Sequence, residues 1–105
     1  MSRADILGCE FVTAPVPLPG GKSATVRDLS AGERGKFFAL SKETKDPTEM
    51  YAWLAAWGSI EANGERSFSD ADVPELMKRP HRVLQPLAEK VLRLSGLAED
   101  DAKKD

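Results

Sequence analysis

Three short clusters in this chain contain residue types that do chemistry elsewhere, and each is tested by its spacing. Gly20-Gly21-Lys22-Ser23 contains the tail of a phosphate-binding loop. That loop needs a further glycine five positions before Gly21, where Val16 stands, and a helix directly afterwards, where Thr25 and Val26 favour a strand. The glycine pair is therefore expected to turn a β-hairpin. Cys9 and His81 are the only thiol and the only imidazole. They lie far apart in sequence, no carboxylate cluster completes a zinc set, and nothing around Cys9 signals a lowered pKa. Asp70 and Asp72 lack the alternating oxygen ligands, central glycine and distal glutamate of a calcium loop, and suit a helix start instead. No nucleophile, base or metal constellation survives, so the expectation is a protein without catalytic residues, metal or cofactor.

A fourth cluster, Lys78, Arg79, His81 and Arg82, is the one basic patch. It permits an alternative function, a small helical transcriptional regulator or adaptor that binds DNA or a regulatory protein. Against a helix-turn-helix stand Pro86 and the leucine density of residues 80–94, whose surface a core would need. Charge balance adds to this. Fifteen basic and seventeen acidic residues leave a net charge of −2, a poor footprint for a phosphate backbone. No nucleic acid is expected as the main partner.

The unusual segment is Met50-Tyr51-Ala52-Trp53-Leu54-Ala55-Ala56-Trp57. Met50, Trp53, Leu54, Trp57 and Ile60 share one helical face, and Ala52, Ala55 and Ala56 make the other uncharged. A helix apolar all round is buried on more than one side. Its covers are the chain's own core, another subunit or a client, and alanine faces with tryptophan anchors suit both packing and binding.

Around these residues the elements follow from local signals. Residues 6–29 read as extended, with Pro15, Pro17 and Pro19 confining that segment to a sheet edge. Ser30-Ala31-Gly32-Glu33 forms a capping box for a helix expected to carry Phe37, Phe38 and Leu40 toward the core. Asp46-Pro47-Thr48-Glu49 opens the next helix and Asn63-Gly64 is expected to end it. Phe68-Ser69-Asp70-Ala71-Asp72-Val73 is a third start. Pro80 begins or restarts a last helix with Val83, Leu84, Leu87, Val91 and Leu94 on its apolar face. Pro86 either kinks that helix or begins its regular part. Gly96-Leu97 reads as a Schellman stop. The fold class expected is mainly α (α+β), an N-terminal β-hairpin followed by about four helices in a small bundle. One domain spans residues 1–97, with the hairpin at about 10–29, the helical part at about 30–97, and a disordered charged tail at 98–105. At 105 residues, 41% apolar and 30% charged, such a domain can bury a core without cross-links. A single cysteine suits a reducing compartment. Met1-Ser2-Arg3-Ala4-Asp5 opens no signal peptide, and no run approaches the length of a membrane span, so neither a membrane nor export is expected.

The order of features resembles the tail assembly chaperones of long-tailed, siphovirus-like bacteriophages over about residues 12–97. It runs from Val16-Pro17-Leu18-Pro19 and Val26-Arg27-Asp28-Leu29 into Ser30-Ala31-Gly32-Glu33 and a hydrophobic helix. The turn from Asn63 through Phe68-Ser69-Asp70 and a leucine-rich final helix complete it. The resemblance implies a factor of the bacterial host cytoplasm, absent from the mature virion. Such a factor binds the tape measure protein and helps tail tube protein polymerise around it, directly or through a frameshift-extended form. Self-association is expected, since many copies would coat one client. The codons of Ala102-Lys103-Lys104-Asp105 are compatible with a slippery adenine run. The residues expected to contact client or subunit are Met50, Tyr51, Trp53 and Trp57, with the hairpin edge at Val16 and Leu18 second.

Overall fold

Two glycines reverse the chain where the sequence requires it. Gly20 and Gly21 both have positive φ, at 88° and 78°, a region that costs glycine nothing. In this computed structural model, which describes residues 2–97, they join β1 (Thr13–Leu18) to an antiparallel β2 (Lys22–Arg27). The register pairs Val16 with Ala24 and Leu18 with Lys22. Asp28 N–H donates to the Val12 carbonyl at 3.0 Å. Continued along β1, this alternation aims the backbone groups of even-numbered residues at β2 and those of odd-numbered ones outward. Pro15 and Pro17 therefore leave the outer edge without N–H donors at their positions, which blunts it against further strands.

A five-residue helix, α1 (Arg3–Leu7), precedes the hairpin. It corrects the extended reading at Ile6 and Leu7. Ser2 and Asp5 form a capping box, in which the Ser2 N–H donates to the Asp5 carboxylate at 3.0 Å and the Asp5 N–H to the Ser2 hydroxyl at 3.3 Å.

After the hairpin come α2 (Ala31–Glu43), α3 (Pro47–Gly58), a two-residue β3 (Ser59–Ile60), a 3₁₀ turn (Asp70–Asp72), α4 (Val73–Met77) and α5 (His81–Leu94). The α+β class and the four helices after the hairpin are as expected; the third strand, which makes the sheet order β1-β2-β3, is new. Two of the three expected caps head the helices read for them, and the third, Ser69, caps the 3₁₀ turn that precedes α4. The Ser30 hydroxyl accepts from the Glu33 N–H at 3.1 Å, and Asp46 accepts from the Thr48 N–H at 2.9 Å. At the far end, Leu97 N–H reaches the Leu92 carbonyl at 2.8 Å and Gly96 N–H that of Arg93 at 3.2 Å, with Gly96 at φ 72°, the Schellman pattern. The tail at 98–105 lies outside the described residues. Helix α5 begins at His81, five residues before Pro86, so its regular part does not wait for that proline.

Two expectations are corrected. Helix α3 ends at Gly58, and Ser59 and Ile60 instead pair with Val26 and Thr25 on the open edge of β2. Asn63-Gly64 forms a tight turn beyond that strand: Gly64 has φ 87°, the Asn63 side chain accepts from the Glu65 N–H at 3.0 Å, and Glu61 N–H reaches the Glu65 carbonyl at 2.8 Å. An unpaired sheet edge attracts backbone that helical periodicity alone assigns to α3. Helix α2 likewise places no residue in the core. Phe37 and Leu40 share one side and are half-buried, whereas Phe38, about 100° further round, is 45% exposed beneath the Arg34 guanidinium.

The core centres on α3, which packs chiefly on α5 and then on α4. Ala52, Ala55 and Ala56 are fully buried, as are Ala88 and Val91 on α5. The approach is closest at Gly58, where an added Cβ would lie 2.3 Å from a Val91 methyl and 3.2 Å from the Arg27 carbonyl. Arg27 itself is 7% exposed. Its guanidinium donates to both Glu33 oxygens, at 2.8 and 2.9 Å, and to the Asp28 carbonyl at 2.8 Å. This two-pronged pair ties the sheet to the first turn of α2. Burial pushes the Glu33 carboxyl up, but Arg27 and the Ser30 N–H outweigh it and hold the group below the usual carboxylate range.

Gly58→Ala should destabilise the chain by about 1–3 kcal/mol through overpacking. Combined with Val91→Ala it should cost less than the two single changes added together, because each relieves the other; thermal melting of the three variants measures this. Glu33→Gln should cost about 2–4 kcal/mol at neutral pH, since it leaves the Arg27 charge without its partner. Because the folded pKa is depressed, Glu33's stabilisation is present above the ordinary carboxylate range and lost as pH falls through that range toward its own lower value. Melting curves of the native chain and the variant should therefore converge in acid.

Candidate protein-binding site

The two tryptophans lie one turn apart on α3, and that spacing places their rings 5.5 Å apart, inclined at 37°. Trp57 is 3% exposed and belongs to the core, while Trp53 is half-buried. Across from them, α2 brings Lys36, Ala39, Leu40 and Glu43, and Asp70 stands at one end. Together these side chains line a groove of about 290 Å³ between α2 and α3. Its lining sets two tryptophans and Leu40 beside both signs of charge, Lys36 against Glu43 and Asp70.

The other expected contact residues go elsewhere. The ring of Tyr51 sits 5.8 Å from that of His81 at the start of α5. Met50 is half-buried in the first turn of α3 and does not line the tryptophan groove. Val16 is 3% exposed and faces the core. Leu18 lines a second, larger groove of about 630 Å³, walled by Ile60, Phe68, Leu76, Val83 and Leu87 between the sheet and α4–α5. The structure thus joins Trp53 with Trp57 and separates both from Met50, Tyr51, Val16 and Leu18. The α2 wall was missed because that helix was read as a core element. The signal was present, since Lys36, Ala39, Leu40 and Glu43 recur at helical three- and four-residue spacing.

The chemistry-bearing residues have structural surroundings. Cys9 is exposed, with its sulfur 3.2 Å from the Asp5 carbonyl. Asp72 accepts from the Ser69 N–H at 2.8 Å, and Asp70 accepts from Arg66 at 3.0 Å. Lys78, Arg79, His81 and Arg82 are exposed around the α4–α5 junction, with Lys78 paired to Glu75 at 3.2 Å. The inner face of α5 is committed to the core through Leu84, Leu87, Ala88 and Val91. Among the described residues no group of three or more His, Cys, Asp or Glu is placed to hold a metal ion, and no helix is long and apolar enough to cross a membrane.

No protein-family model matches the sequence, and no curated protein matches it. Solved structures do. The tail assembly chaperone of bacteriophage HK97 superposes with a TM-score of 0.67 over 82% of this chain and 83% of that one, at 16% sequence identity. The chain therefore has the fold of the bacteriophage HK97 tail assembly chaperone.

Proposed function

We propose that this chain is a phage tail assembly chaperone that binds the tape measure protein and assists polymerisation of the tail tube around it. The observation that carries the reading is the shared fold with the HK97 chaperone. The tryptophan groove supplies a physical means. A long helical client exposes rows of apolar side chains that aggregate before the tube encloses them. A groove with Trp53 in its wall and α2 as its other side accepts one such row by helix-in-groove contact. On this reading the protein acts as one domain through residue 97, in the host cytoplasm and without catalysis. It associates with further copies of itself, is absent from the finished virion, and meets tail tube protein directly or through a frameshift-extended form.

Client contact narrows to Trp53 and its α2 partners. Ala52 and Ala56 are fully enclosed within the chain, so a charge placed there would disrupt the core rather than mark a client surface. Ala39 is exposed and lines the groove. Co-expressed with the tape measure protein of the same genome, the native chain should keep that client soluble and purify with it. Ala39→Glu and Trp53→Ala should fold and lose the client, whereas Trp57→Ala should cost about 3–5 kcal/mol of stability as a core truncation. An insoluble client that the native chain leaves unaffected would contradict the reading. Salt-sensitive duplex DNA binding that vanishes with Arg79 and Arg82 would favour the regulator instead.

A further inference from the structure

Every residue from Ser2 to Thr13 is exposed. This arm carries four of the large hydrophobic side chains that stand in solvent: Ile6 at 59%, Leu7 at 64%, Phe11 at 48% and Val12 at 55%. Helix α1 is capped yet buries nothing. Five residues are far too few for an isolated helix, so its apolar side calls for a cover. The root of the arm is held on its own body, where Val12 N–H donates to the Asp28 carboxylate at 2.9 Å and the Phe11 ring lies 4.2 Å from the Arg27 guanidinium. Beyond that anchor Ile6 and Leu7 stay uncovered by their own chain.

The larger groove, between the sheet and α4–α5, has the complementary character. Its walls are apolar at Leu18, Ile60, Phe68, Val83 and Leu87, with Arg79 from the α4–α5 junction and Glu61 from beyond β3 as its charged lining residues. Charge agrees: the arm holds Asp5 and Glu10 against a single Arg3, while Arg79 is flanked by Lys78 and, beyond Pro80, by Arg82, all exposed.

We propose that the N-terminal arm of one copy docks into the sheet–α4–α5 groove of a second copy, and that the exchange is reciprocal. Ile6 and Leu7 fill the apolar trough, and Asp5 and Glu10 face the basic end. Four half-exposed side chains offer roughly 400 Å² per arm, and two arms in two grooves cover roughly 1,600 Å² in all, the usual size of a stable interface. A C2 arrangement pairs the copies through one reciprocal interface, and the docking groove shares no lining residue with the tryptophan groove. The proposal rests on the self-association in the function proposed above and adds its route.

Sedimentation of the full chain across a concentration series tests it. The native protein should form dimers. Ile6→Asp/Leu7→Asp should raise the dissociation constant by at least about a hundredfold, and should melt like the native chain at dilutions where both are monomeric, because those side chains bury nothing in their own chain. Ala62→Glu, an exposed residue lining the groove, should do the same from the other side. An equimolar mixture of the two variants retains one sound arm and one sound groove, and should recover a weaker dimer that neither forms alone. Dimers that persist in the Ile6→Asp/Leu7→Asp protein would overturn the arm route while leaving self-association standing. A native chain that stays monomeric at every concentration would overturn both. Neither result bears on capture of the tape measure protein, which is read separately by co-purification.

Discussion

The arrangement depends on how closely α3 can approach α5. Ala52, Ala55 and Ala56 are fully buried, and Gly58 lies against Val91 with no room for a Cβ. Small side chains bring the two backbones together, and Leu54, Leu84 and Val91 close the space around them. Gly58 does a second thing. By meeting the Arg27 carbonyl as well, it sets the end of α3 beside β2, where Ser59 and Ile60 continue as the third strand. Helix packing and sheet pairing thus share a single residue, and a larger one there would disturb both.

With α3 spent on the core along its alanine side, its tryptophan side is left to α2. That helix buries no residue: the Arg27–Glu33 pair and the Ser30 cap hold its N-terminal turn, and half-buried Phe37 packs against the core. An element with few buried apolar contacts along its length opens at low cost relative to the core. Under the proposed function, such a surface could take up a client and release it again. Buried Trp57, half-buried Trp53 and Leu40 of α2 all line the groove between the two helices.

Local stereochemistry was legible in the sequence, and long-range packing was less so. The Gly20-Gly21 reversal, the Ser30–Glu33 box, the Asp46-Pro47 start and the Gly96 stop each depend on a few neighbouring residues, and each stands where it was read. The end of α3 was misplaced because the pull of the β2 edge comes from residues more than thirty positions earlier. Arg27 read as a strand residue of no note; its burial against Glu33 needs the hairpin and α2 to be joined first. Helix α1 has the capping-box spacing of Ser2 and Asp5, but at five residues it is too short for apolar periodicity to separate it from the extended segment that follows. As for the site, the uncharged helix correctly announced burial on more than one side. Which sides went to α5 and which to α2 depended on the third dimension.

Hydrogen exchange with and without a tape measure fragment tests the central claim, that a firm α3 core presents a tryptophan groove closed by a loosely held α2. In the free protein the amides of α3 and α5 should exchange slowly and those of α2 much faster, and the fragment should slow α2 specifically. Equal protection of α2 and α3 in the free protein, or a fragment that binds and leaves α2 unchanged, would contradict the account.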